Sequence, residues 1–149
     1  MKPFALARVL QLAERRSETL ARTVKQSHGE WLRARGRAAQ LASLRDAHIA
    51  LLALDLKDGL PAAQLREASR LQQAQAAEMA AAQSAIDVAH AAWQARLAAW
   101  LAEAQRVKAL RLLETRHLAR AAVVERRSEQ RSHDELVERM QRGQIGRWR

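Results

Sequence analysis

Apolar residues recur along this chain at helical coiled-coil spacing. In the first third, Leu10, Val24, Trp31, Ala38 and Leu52 fall on a seven-residue repeat, and Leu6, Ala13, Leu20, Ala34 and Leu41 form its companion row. Further on, Leu65, Met79, Ile86, Trp93, Trp100 and Val107 repeat by seven. Two such rows make the a/d stripe that drives helices to pair. Polar residues Ser17, Arg45, Gln72 and Glu114 interrupt the stripe. Around Leu41, Leu44, His48 and Leu51 the spacing predicts a register shift of the stutter kind.

One strong punctuation mark divides the pattern, "LKDGLPAAQL" at residues 56–65. Gly59 suits the left-handed position after a helix end, and Pro61 suits the first position of the next helix. The expectation is all-α: a first helix over about 4–57, a turn at about 58–61, a second helix over about 61–142 and a frayed tail at 143–149. A short turn between long helices makes an antiparallel coiled-coil hairpin, here a single domain. At equal rise, residue i faces roughly residue 119 − i. That register sets Trp31 near Val88 and Ala89, and Trp93 near Gln26 and Ser27, so that large residues meet small ones. The Trp and Leu stripe reads as core rather than as a ligand site.

The two helices are unequal, about 80 Å and about 120 Å long. The second therefore overhangs beyond about residue 115, for ~40 Å. Inside the overhang lies "ERRSEQRSHDELVERM", residues 125–140, whose first eleven residues include no apolar one. Arg131, Glu135 and Arg139 could form an i,i+4 ladder, with Glu138 facing Arg142, each pair contributing about 0.2–0.5 kcal/mol. Ser132 with Glu135 fits a capping box, so a break and restart is expected there. Such a segment reads as a marginal helix that orders on a partner.

Composition narrows the class. The 149 residues include one Phe, no Tyr, four Trp, two Pro, five Gly and no Cys. Absence of cysteine removes a disulfide framework, a Cys-type zinc site and a thiol nucleophile, and fits a reducing cytoplasm. Arg8 and Glu14 interrupt the apolar start, so it makes a poor signal peptide, and no uncharged run approaches a membrane span. Of the five histidines, His28, His48, His90, His117 and His133, no two stand three or four apart, so no helical metal pair forms. "SHD" at residues 132–134 superficially matches a hydrolase triad, but neighbours on a helix point about 100° apart. No Gly-rich phosphate loop occurs. The reading is a non-enzyme without cofactor, metal site or small-molecule substrate.

The net charge is +10, concentrated toward both termini: 11 basic and 6 acidic residues over 1–60, 3 and 4 over 61–103, and 12 and 6 over 104–149. A basic coiled coil that binds nucleic acid is one reading, and a scaffold dimer is another. Interspersed acidic groups and the lack of aromatics among the arginines count against nucleic acid. No apolar stripe accompanies the basic overhang, which counts against direct membrane binding. At the turn, Leu51, Leu52, Leu54, Leu56, Leu60 and Leu65 occupy more than one face. They form either a leucine plug or an exposed patch that docks on a partner, and the two readings stand level.

Three stretches carry a family resemblance across nearly the whole chain. "LARVLQLAERR" (residues 6–16) resembles the opening of the flagellar export FliJ family, and "WQARLAAWLAEAQRVKALRLLETR" (residues 93–116) resembles its long second helix. Glu125, Arg126, Arg127, Glu129, Gln130, Arg131, Asp134, Glu135 and Leu136 resemble its C-terminal signature. The resemblance implies a central stalk of a type III export apparatus, in the cytoplasm and peripheral to the inner membrane. It implies contact with a hexameric export ATPase, with the cytoplasmic ring of the export gate and with export chaperones. On that reading Arg126, Arg127, Arg131, Asp134, Glu135, Leu136 and Arg139 meet the ATPase ring, and the six turn leucines meet gate or chaperone. The tip is short and without aromatics, and "GQIGRWR" with Trp148 departs from the flagellar pattern. Both departures keep open a YscO-like stalk of a virulence injectisome.

Overall fold

The computed structural model describes residues 3–145, with side chains to Arg142. It has two helices, α1 (Ala7–Asp58) and α2 (Ala62–Ile145), packed on each other as a two-helix hairpin, with no strand among the described residues. The first turn of α1 is closed by Ala7 N donating to Phe4 O (3.1 Å) and Leu10 N to Leu6 O (2.9 Å). At its other end Gly59 takes φ +88°, the left-handed conformation that a residue without Cβ reaches at least cost. Gly59 N donates to Leu56 O. Pro61 O accepts from Gln64 N (3.0 Å) and Leu65 N (3.1 Å), so proline caps α2 one position earlier than the sequence expectation.

The chain divides into two compact units, Met1–Ser17 with Glu103–Arg149, and Glu18–Ala102. In the first, Leu10, Ala13, Val107 and Leu110 form the buried cluster. Arg111 Nε and its terminal nitrogen both reach Glu14 Oε1 (2.9 and 2.8 Å), and the Phe4 ring lies 5.6 Å from that of His117. These contacts clip the start of α1 to the middle of α2.

In the second unit the covered face of α1 runs through Leu20, Val24, Ser27, Trp31, Ala34, Ala38, Leu41, Arg45, His48 and Leu52, alternately four and three apart. The expected stutter is therefore absent. Leu44 and Leu51, which suggested it, are 52% and 59% exposed. Arg45 and His48 hold the seam positions instead, because each finds a polar partner: Asp46 Oδ1 for Arg45, and Gln75 Nε2 for His48 Nδ1. Ser27 is 1% exposed and donates to Thr23 O (2.9 Å) or Val24 O (3.0 Å), so its hydroxyl needs no water.

The cross-helix register also differs from expectation. Trp31 faces Trp93 and His90, a few residues further along α2 than Val88 and Ala89. Trp93 likewise meets His28 and Trp31, a few residues further along α1 than Gln26 and Ser27. Large residues therefore meet large ones here. The indoles fit because they stack flat, with centroids 5.1 Å apart and planes 9° apart. His28 and His90 tilt against them at 5.0 and 5.1 Å, and the Arg35 guanidinium covers the Trp31 ring at 5.0 Å.

Candidate partner-binding surfaces

Two surfaces remain once the seam is accounted for. The first is the end of α2. Ala121 and Ala122 are half-buried, and every described residue from Val123 to Arg142 is exposed. Arg126, Arg127, Arg131, Asp134, Glu135, Leu136 and Arg139 all lie in this run. At about 100° per residue, Arg127, Arg131, Asp134, Glu135 and Arg139 share one side of the helix. Arg126 turns away from it, and Leu136 faces nearly opposite.

Helix α2 does not break at Ser132. Its hydroxyl donates to Ser128 O (3.1 Å), one turn back, and so serves the helix interior rather than a cap. Strong helix formers on both sides favour continuation over a restart. Glu138 and Arg142 approach to 3.4 Å, whereas the Arg131, Glu135 and Arg139 ladder is not closed. Met140, 72% exposed, lies one turn beyond Leu136 and makes with it a small apolar spot. The four-residue spacing of Leu136 and Met140 was the signal for it in the sequence. Trp148, in the expected frayed tail, lies outside the described residues.

The second surface is the turn region. Leu51, Leu54, Leu56 and Leu65 are exposed, and Leu52 and Leu60 half-buried. A closed leucine plug is not formed, because each helix turns its leucines outward on different sides. Leu44, Ile49 and Leu71 extend the exposed apolar area beyond the six leucines picked from the sequence. Ile49 and Leu71 follow no seam spacing, which is why periodicity passed over them, and Leu44 was read as a seam residue of the expected stutter.

Between these surfaces and any chemistry there is little to connect. Among the described residues no group of three or more His, Asp or Glu could hold a metal ion. Nor is any described helix long and apolar enough to cross a membrane. An open groove of about 340 Å³ runs beside Val24, Lys25, His28, Trp93, Leu97 and Trp100. It carries one lysine and one histidine among apolar and indole side chains.

Two long helices folded together, with α2 continuing past the start of α1, define a stalk-type coiled-coil protein. The chain matches the family model described as the flagellar FliJ protein over residues 1–145, and it belongs to that family. Membership makes it a component of flagellar type III export with a stalk-like role, in a family of structural stalks rather than enzymes. Neither the curated proteins nor the solved structures provide a match.

Proposed function

We propose that the chain is a single hairpin that serves as the central stalk of a flagellar export apparatus, promoting assembly and activity of its hexameric ATPase. The observation that carries this reading is the end of α2, exposed on every side from Val123 to Arg142. A helix of that length without a partner in its own chain is suited to enter another protein. Its charged side chains give contacts that form quickly and release readily, as turnover of a ring requires. Arg127, Arg131, Asp134, Glu135 and Arg139 supply the main contact side, with Arg126 and Leu136 reaching neighbouring surfaces of the ring. The turn leucines meet the export gate or an export chaperone, whose apolar groove they fit. On this reading the stalk works in the cytoplasm, beside the membrane-bound apparatus. The family description favours the flagellar system over the injectisome.

The test is to add the protein to the cognate ATPase and follow hydrolysis and hexamer formation. Stimulation of both is expected. Truncation after His117 should abolish it while helical ellipticity and cooperative melting of the remaining hairpin persist. An active ATPase indifferent to the intact chain would refute the stalk reading. An ATPase stimulated equally by the truncated chain would refute the role of the α2 end.

A further inference from the structure

Near the turn, the hairpin is built the wrong way round for a stable coiled coil. Three covered seam positions there are polar: Arg45, His48 and Gln75. In the same section Leu44, Ile49, Leu51 and Leu71 point outward and are exposed. Arg45 spends its guanidinium on Asp46, its neighbour in α1, so nothing from it crosses to α2. The crossing contact is His48 Nδ1 with Gln75 Nε2. Gln75 is only 9% exposed, and its Oε1 is buried without a hydrogen-bond partner. A buried carbonyl oxygen left unpaired loses its water and gains nothing in exchange.

Closing this section therefore covers little apolar surface and strands one acceptor. Closing the section around Trp31 and Trp93 joins four aromatic rings within 5.7 Å of their neighbours. We propose that the hairpin carries a built-in opening joint: α1 and α2 part between Arg45 and Gln75 and reclose, while the Trp-packed section stays shut. Opening rehydrates Gln75 Oε1 and frees Leu52, half-buried on the seam, to join the leucines already exposed. The joint is a property of the free chain and does not depend on which protein meets the turn.

Hydrogen exchange on the full chain tests it. Amides of residues 45–56 and 64–76 should exchange about 100-fold faster than those of residues 24–34 and 86–96. Ordinary fraying at a helix end gives a similar contrast, so a variant decides. His48→Leu with Gln75→Leu replaces both polar partners by apolar ones and should slow the first set at least ~10-fold, leaving the second unchanged. Sedimentation at the exchange concentration checks that the variant keeps the wild-type association state. Where the leucine pair drives association, Arg45→Leu is read instead, with the same slowing expected. Equal exchange of the two sets in the wild type, or a rate near the turn unmoved by the leucines, overturns the joint.

Discussion

The Trp31–Trp93 stack should be measurable as a coupling between two mutations. Trp93→Ala removes a half-buried indole that lies flat on Trp31 and tilts against His28 and His90. Full burial of a Trp side chain makes truncation cost about 3–5 kcal/mol, and half burial about half of that. The stacked ring contact adds ~1 kcal/mol beyond area. Each single substitution, Trp31→Ala or Trp93→Ala, should therefore destabilise by ~2.5–3.5 kcal/mol. For a chain of this length each kcal/mol lowers Tm by about 2–4 °C. The double variant should lose ~1 kcal/mol less than the two singles together, since the second truncation no longer breaks a stack. Urea unfolding followed by helical circular dichroism gives the four free energies. A second readout is optical: two indoles in flat contact couple their transitions, so either single substitution should remove a paired near-ultraviolet signal. Additivity within about 0.3 kcal/mol, with the near-ultraviolet spectrum unchanged, would refute the stacked geometry.

Glu14→Gln should cost only about 0.5 kcal/mol, because the Arg111 side chain is 64% exposed, and the loss should vanish near ~1 M salt in thermal melts. Gly59→Ala should cost about 1 kcal/mol through φ alone, since an added Cβ meets nothing within 4 Å, and Gly59→Asn should cost less; chemical denaturation separates them. Ser27→Ala should change stability by under ~0.5 kcal/mol, because the hydroxyl serves only carbonyls of its own helix. Ser27→Leu at the same buried site should cost ~1–3 kcal/mol by overpacking, as read by thermal unfolding. On the proposed reading, binding of the ATPase through the α2 end should weaken steeply with salt. Contacts made by the turn leucines should hold, and binding measured across a salt series tells the two apart.

The two-helix hairpin was legible because each helix must bury one stripe, and a seven-residue repeat writes that stripe directly into the sequence. The register between helices was not legible from the same repeat. Sliding α2 by a turn brings the same face back to α1, so the stripe is nearly blind to it. What fixes the register is pairwise: Glu14 with Arg111, and Trp31 with Trp93. Only the glycine at the turn could be read locally, and it leaves a few residues of slack. The stutter failed for a related reason. Leu44 and Leu51 argued for a shift on hydrophobicity alone, but a long regular helix keeps its phase when polar seam residues find partners. Ser132 shows the limit of capping signals. A Ser followed by Glu can start a helix, yet within a run of helix formers its hydroxyl bonds backward instead.

A two-helix hairpin can bury only one face of each helix, and this chain carries more leucine than that face holds. It also carries a charged stretch of α2 that no face of α1 reaches. Neither excess is explained by folding. Ala or Gln at Leu51, Leu54 or Leu56 would leave the seam as it is and lower the risk of aggregation. Likewise, ending the chain near Ala122 would remove nothing that the described contacts of α1 require. The residues that folding does not need are therefore the ones whose identity must be set by something outside the chain. They fall into two chemically unlike groups, apolar at the turn and charged on α2. One partner surface cannot complement both well, since an apolar groove leaves arginines unsolvated and a charged ring leaves leucines wet. On the proposed reading, the two groups answer to two different partners, as a stalk joining separate parts of one apparatus requires.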